Sequence, residues 1–435
     1  MDRVQTDTTN TCSSAIQFLF TSYLALLPFQ IGPTARYLLS GMLIIAAMKH
    51  ILEQGRHVST TQFLRSPVVI FLIALNILAI ISISSSPEPR YSMAVFFEDL
   101  FLNSILFSSM AIFVANSPQS IEWEKSIRIA NILFLLAYLG LMIQWIMFPN
   151  HPLCIRPEAI ARIHSRWDAI FAFGNGCSLF HGIKHTSMFL TLMLAYWAVW
   201  ATRGMLSITG MAIFLLDLFT LLTTTRRAAC LAVFSGICLA PLLFKSSARY
   251  LKVAIAFLAV LVLVFVVSGN SEHFIRENWQ LLMKGEVQKA KDLGGSIPLR
   301  ISTYKVFTKQ ILKEPFKPHG LGRKLIKEYQ AELVKKAGLL HGHNTFLNFA
   351  FYMGVQGSLA LLGLILSQAW LFWTAWKKTP HGNEAPLMAV GLIFIFMFWG
   401  TNMFTDGFRH GSATMYWLFT AIPTGIALKI NRSRP

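Results

Sequence analysis

The sequence predicts an all-α integral membrane protein of about twelve transmembrane helices, with one large and mostly helical loop on its outer face. Composition is the first reason: of 435 residues 54% are hydrophobic and only 13% charged, against about 25% charged in soluble domains, so lipid is the chain's main solvent. The second is that the apolar residues gather in runs close to the ~20 residues that cross a hydrocarbon core. The third is the placement of a formal net charge of +18, most of which flanks those runs.

In chain order the runs fall at 14–31, 37–52, 67–85, 95–115, 127–148, 184–202, 205–223, 228–244, 250–268, 344–372, 385–404 and 411–429. The run at 228–244 is short and closely flanked by Arg226 and Lys245. No cleavable signal peptide is expected, because the first run is too long and leads directly into a second. Cytoplasmic termini put Arg3, Lys49, Arg56, Arg65, Lys125, Arg128, Arg203 and the later Lys and Arg groups inside, as the positive-inside rule requires. Arg36, Arg90, Arg409 and the pair Arg226 and Arg227 then face outward. This divides the chain into residues 1–268, nine helices with a smaller outer loop at 149–184; 269–342, a large basic outer loop; and 343–435, the last three helices and a cytoplasmic C-terminus.

The outer face collects the unusual chemistry. Residues 269–342 carry 14 Lys and Arg against 7 Asp and Glu, with amphipathic stretches around Phe274–Met283, Tyr304–Leu312 and Leu325–Leu339. Arg226 and Arg227 open a helix on the same side, and Arg156, Arg162, Arg166 and Lys184 lie in the smaller loop. Together they suggest a vestibule for a polyanion. Arginine forks grip phosphate oxygens in pairs and keep their protons, so they could hold a diphosphate and neutralise it as a leaving group. Nucleic acid is an unattractive partner, because the excess charge flanks membrane helices and no soluble basic patch interleaves aromatics.

The familiar cofactor and metal motifs are missing: no Walker A loop, no dinucleotide fingerprint, no His-Glu-x-x-His, no Cys-x-x-Cys. Glu98 and Asp99 are adjacent on a helix, about 100° apart, and are not expected to form a metal pair by themselves. No metal and no cofactor are expected. Cys12, Cys230 and Cys238 read as small buried hydrophobes. Cys154 and Cys177 share the smaller outer loop, where an oxidising compartment would permit a bridge.

One stretch carries more than the rest: His343-Asn344, nine residues, then Gly354-Val355-Gln356-Gly357. If the helix runs on unbroken, Gly354 and Gly357 return to within about 20° and 40° of His343. His343 would then cap a glycine stripe that lets a second helix pack closely below a titratable group at the membrane surface. Gly354→Leu should push that neighbour away, and Gly354→Ala should be far milder.

This spacing resembles the signature of bacterial O-antigen ligases, membrane glycosyltransferases that share a domain with O-antigen polymerases and protein O-oligosaccharyltransferases. Thr225-Arg226 resembles the family's Ser/Thr-Arg element, Leu299-Arg300 followed by Tyr304 its loop arginine, and Gly320-Leu321-Gly322 the turn before the histidine. Arg227 stands where a small residue is common and Tyr304 where tryptophan is usual. The resemblance covers roughly residues 180–360; the first half of the chain shares only the hydropathy.

It implies a GT-C-like glycosyltransferase in a bacterial inner membrane with its active site on the periplasmic face. Polysaccharide would pass from undecaprenyl diphosphate to a sugar hydroxyl of lipid A core, by inverting, metal-independent displacement. His343 would be the general base; Arg226, Arg227 and Arg300 would bind the diphosphate; Asn344, Gly354 and Gly357 would support them. The implied partners are the lipid-linked O-antigen, lipid A core and membrane lipid. A polymerase or a protein-directed oligosaccharyltransferase would use the same site with another acceptor. A transporter or flippase of an anionic lipid is the reading of another class, against which stand the lack of an obvious repeat and the basic residues gathered in one loop.

Overall fold

The computed structural model describes residues 2–29, 33–54, 57–117, 122–147, 182–204, 206–224, 227–244, 296–337, 341–380, 382–406 and 408–432. The regular elements among them are helical. In chain order they are α1 (Asp2–Leu26), α2 (Pro33–Gln54), α3 (His57–Leu64), α4 (Pro67–Ser84), α5 (Pro89–Phe96), a π-helical turn (Phe97–Phe101), α6 (Leu102–Asn116) and α7 (Trp123–Met147). Then come α8 (Gly182–Thr202), α9 (Ile208–Thr223), α10 (Arg227–Phe244), α11 (Ser296–Lys313), α12 (Arg323–Tyr329), α13 (Ala331–Ala337), α14 (Thr345–Met353), α15 (Val355–Lys378), α16 (Ala385–Asn402) and α17 (His410–Arg432).

Six stretches among the described residues are long and apolar enough to cross a membrane: Thr34–Glu53, Pro67–Ser84, Pro89–Asn116, Trp123–Met147, Val355–Lys378 and Ala385–Asn402. Ser13–Leu26, Ile208–Thr223 and Ala228–Pro241 are shorter apolar helices. Among the described residues the regular structure is thus all helical, in keeping with a multi-pass membrane protein. The expected span at 250–268 and the cysteines at 154 and 177 lie outside the described residues. Cys230 is buried and Cys238 half-buried, both as free thiols.

Local sequence explains where the helices start. Ser66 caps α4 by accepting from the Val68 amide, with Pro67 in the first turn, where a missing N–H costs nothing. Ser207 caps α9 in the same way through the Gly210 amide at 3.0 Å. The middle of the bundle is α16, apolar all round and buried over most of its length, as a helix enclosed by others must be. α8, α10, α15 and α17 pack around it. The longest contact joins α17 to α6, where a Cβ on Gly425 would meet the Val114 side chain at 2.6 Å.

Two sequence expectations fail here. The apolar run 344–372 is two helices, α14 and α15, broken at Gly354, whose φ of 79° and ψ of 171° suit glycine alone. The stretch Leu325–Leu339 is likewise divided, at Gln330, between α12 and α13.

Candidate functional site

The site is built on the approach to α14. Asn344 is its N-cap: an extended residue whose side chain accepts from the Leu347 amide at 3.2 Å, filling one of the donors a helix start leaves open. One turn on, Asn348 accepts from the Gly342 amide at 2.8 Å. These two asparagines hold the preceding residues, His341, Gly342 and His343, in a tight loop. The loop carries strain at its tip, where His343 has a left-handed backbone with φ of 47°. Such geometry is uncommon outside glycine and persists where the surroundings enforce it.

Those surroundings are specific. The His343 amide donates to Nδ1 of His341 at 3.1 Å, and the two imidazole rings lie 4.0 Å apart at 32°. His341 is buried and His343 half-buried. Because Nδ1 of His341 accepts, a neutral His341 carries its proton on Nε2. The His343 carbonyl accepts from the Tyr304 hydroxyl at 3.3 Å, and the same hydroxyl reaches the Met403 carbonyl at 3.3 Å. Thr345, fully buried, donates to Asn402 at 3.1 Å and to the Thr405 carbonyl at 3.3 Å. The histidine loop is therefore tied to α11 on one side and to the end of α16 on the other.

Tyr304 brings a second expected residue to this corner. Arg300 is half-buried and stands one turn before it on α11. Burial raises the Tyr304 phenol above its ordinary value, and the Arg300 charge works in the opposite direction. Thr303, Phe307 and Ile311 form the buried stripe that seats α11, and Phe307 packs beneath Gly342. Of the remaining expected residues, Arg226 lies outside the described residues, and Arg227 is the first residue of α10.

The glycines take a different part from the one expected. With α14 and α15 broken apart, Gly354 and Gly357 are not on His343's helix face. Gly354 makes the corner itself. A Cβ on Gly357 would meet the Met353 side chain at 2.5 Å and the Phe349 carbonyl at 3.3 Å, so this glycine lets α15 fold back against α14. Close packing is present, but the partner is the preceding helix. Gly354→Ala is no longer a mild change, because any L-residue is strained at that backbone.

The turn at Gly320-Leu321-Gly322 docks on the α4–α5 corner. Leu321 exchanges hydrogen bonds with the Ser92 hydroxyl, N–H donating at 3.1 Å and C=O accepting at 3.2 Å. Just before it, the His319 amide donates to the Tyr352 carbonyl at 3.0 Å and its ring stacks on Phe351 at 4.6 Å. Burial holds the His319 imidazole below its ordinary value.

A polar network braces the α16–α17 loop. Arg323 binds Asp406 at 2.6 Å; Arg409 meets Asp99 at 3.5 Å and Arg36 meets Glu98 at 3.3 Å. His410 donates its amide to Asp99 at 2.8 Å and pairs its Nδ1 with Glu98 at 2.9 Å. Glu98 and Asp99 were expected to diverge. The π-helical turn instead brings both to His410, with the three ligand atoms within 4.8 Å of one another, close enough to hold a metal ion. Arg36 and Arg409 already place two cations against those carboxylates. His341, Asp406 and His410 are the residues that sequence reasoning passed over; only the His-x-His spacing of 341 and 343 offered a signal.

Comparison with known proteins adds a family match over part of the chain. Residues 212–362 match the family model described as O-antigen ligase. The match covers about a third of the chain, runs from α9 into α15, and spans Arg226, Arg227, Arg300 and the whole stretch from His341 to Gly357. The O-antigen ligase domain is shared by ligases, polymerases and oligosaccharyltransferases. No curated protein matches the chain.

Proposed function

We propose that the chain is an O-antigen ligase, transferring a polysaccharide from undecaprenyl diphosphate to a sugar hydroxyl of lipid A core on the periplasmic face of a bacterial inner membrane. One observation carries the reading: within the span that matches the family, the Tyr304 hydroxyl joins the carbonyl of His343 to the helix that bears Arg300. The general base and a cation for the leaving group thereby share one rigid corner.

The chemistry follows from those groups. A sugar hydroxyl is a poor nucleophile, and a positioned neutral imidazole that takes its proton contributes about 10² to 10⁴ in rate. The oxygen attacks the anomeric carbon, the bond to the diphosphate breaks, and one displacement inverts the centre. Arg300, with Arg226 and Arg227, stabilises the charge that develops on the departing diphosphate. The bond broken is already activated, so no nucleotide and no metal are required. The acceptor separates this reading from its relatives: a polymerase would extend a second lipid-linked saccharide, and an oligosaccharyltransferase would modify a protein. Purified protein offered lipid-linked polysaccharide with lipid A core, a second lipid-linked saccharide or an acceptor peptide should enlarge the first alone. Growth of either other acceptor, with lipid A core untouched, would overturn the assignment.

A further inference from the structure

The exposed face of α11 lies outside the corner just described. Lys305, Lys309 and Lys313 recur every fourth residue along it, and all three are exposed. Residues four apart are neighbours on a helix surface, so these like charges repel one another unless an anion lies across them. Among the described residues none of the three forms an ion pair, whereas nearby Lys317 pairs with Glu314 at 3.0 Å and Lys324 with Glu88 at 2.9 Å. A shallow groove of about 610 Å³ follows the same face, lined by Tyr304, Lys305, Thr308, Lys309, Leu312 and Lys313.

The two ends of the groove differ. Tyr304 closes one end, where its hydroxyl touches the backbone of His343. At the other end Leu312 and Phe316 are 70% and 73% exposed. That end is fixed to the start of a membrane-spanning helix: the Pro315 carbonyl accepts from the Val355 amide at 2.8 Å, and the Phe316 carbonyl from the Gln356 side chain at 3.0 Å. α15 presents Leu359 and Leu362 outward just beyond. The apolar end therefore stands at the rim of the membrane, and nine residues of helix, about 14 Å, lead from there to Tyr304.

We propose that this face of α11 holds the phosphate-bearing headgroup of an anionic lipid drawn from the adjoining leaflet. The three ammonium groups take the phosphate oxygens as point charges, while Leu312 and Phe316 lie against the acyl chains, the division of labour of an interfacial amphipathic helix. A glycolipid held this way directs its sugar end along the groove to His343. The inference deepens the function proposed above and rests on it for that last step alone: it assigns the lipid phosphate to Lys305, Lys309 and Lys313 of α11.

Binding is read without turnover. Full-length protein in detergent micelles is mixed with phosphatidic acid or phosphatidylcholine, and retained lipid is counted by native mass spectrometry. The triple variant K305Q/K309Q/K313Q should hold phosphatidic acid roughly a hundredfold more weakly than the wild type, from about a fivefold loss per basic residue. The corresponding triple arginine variant should hold it as well as the wild type, and phosphatidylcholine should be weak in all three. Glycerol 3-phosphate should fail to displace the bound lipid. Equal retention of phosphatidic acid by the glutamine variant, equal retention of phosphatidylcholine, or full displacement by glycerol 3-phosphate would each overturn the proposal. Unchanged melting temperatures check that the variants fold. A protein that retains the lipid through these lysines yet transfers nothing supports this site and counts against the ligase reading, so the two fail separately.

Discussion

His343 and His410 carry nearly the same backbone, with φ of 47° and 48°, and each stands at the threshold of a helix on the same side of the bundle. Their side chains are held in different ways. His410 pairs Nδ1 with Glu98 and its amide with Asp99, inside a network that Arg36 and Arg409 bring to charge balance. His343 is backed by the ring of His341 and by backbone bonds to Tyr304 and His341. A left-handed histidine is thus a means of aiming an imidazole across a helix start. What the imidazole does depends on what it is aimed at. Two carboxylates make a brace; beside a second imidazole and a basic helix, the role proposed for His343 is to move a proton.

The largest effect should come from breaking that contrast outright. His343→Ala is expected to lose transfer by about 10²-fold or more while membrane abundance holds. His410→Ala should do the reverse: a lower melting temperature, from the loss of a charge-assisted bond worth about 1.5–3 kcal/mol, with transfer per folded molecule of the same order as the wild type. Equal loss of transfer in both would erase the distinction. Next come the arginines. Arg300→Ala and Arg226→Ala should each remove at least ~2 kcal/mol of transition-state stabilisation, and lysine should restore only part of it; full rescue by lysine in kcat/KM would point to plain charge and not to a bidentate grip.

A smaller effect is expected at the α14–α15 corner. Gly354→Ala should destabilise the protein by about 1–3 kcal/mol, the cost of an L-residue in a glycine-only backbone, read as a lower melting temperature. Melting unchanged from the wild type would mean that the corner relaxes freely. The smallest concerns His319. Burial holds its folded value below the ordinary one, so the neutral ring is favoured in the fold. Its contribution is complete above the unfolded value of about 6.5 and is lost as pH falls from there through the lowered folded value. His319→Phe, which keeps a ring against Phe351, should flatten that part of the stability profile; an unchanged slope between neutral and mildly acidic pH would assign the acid sensitivity elsewhere.

Much of the helical plan was legible because hydropathy and spanning length act locally. The polar details were not. A Gly-x-x-Gly pair reads alike on an unbroken helix and at a corner, since only the backbone angle of Gly354 distinguishes them. The convergence of Glu98 and Asp99 depends on a π-helical turn that no ordinary helical wheel contains. His343 and Asn344 were legible as a pair, yet the support of Tyr304 and Thr345 comes from contacts 39 to 99 residues apart in sequence, where spacing carries no information.

The central claim is that His343 is the base of a ligation that needs neither nucleotide nor metal. The direct measurement incubates purified wild-type and His343→Ala protein, at matched amounts and with chelator present, with polysaccharide on undecaprenyl diphosphate and with lipid A core, and resolves the products on a gel. An enlarged lipid A core product is expected from the wild type, and little or none from the variant. Product from the variant at the wild-type rate, or none from the wild type until metal or nucleotide is supplied, would contradict it.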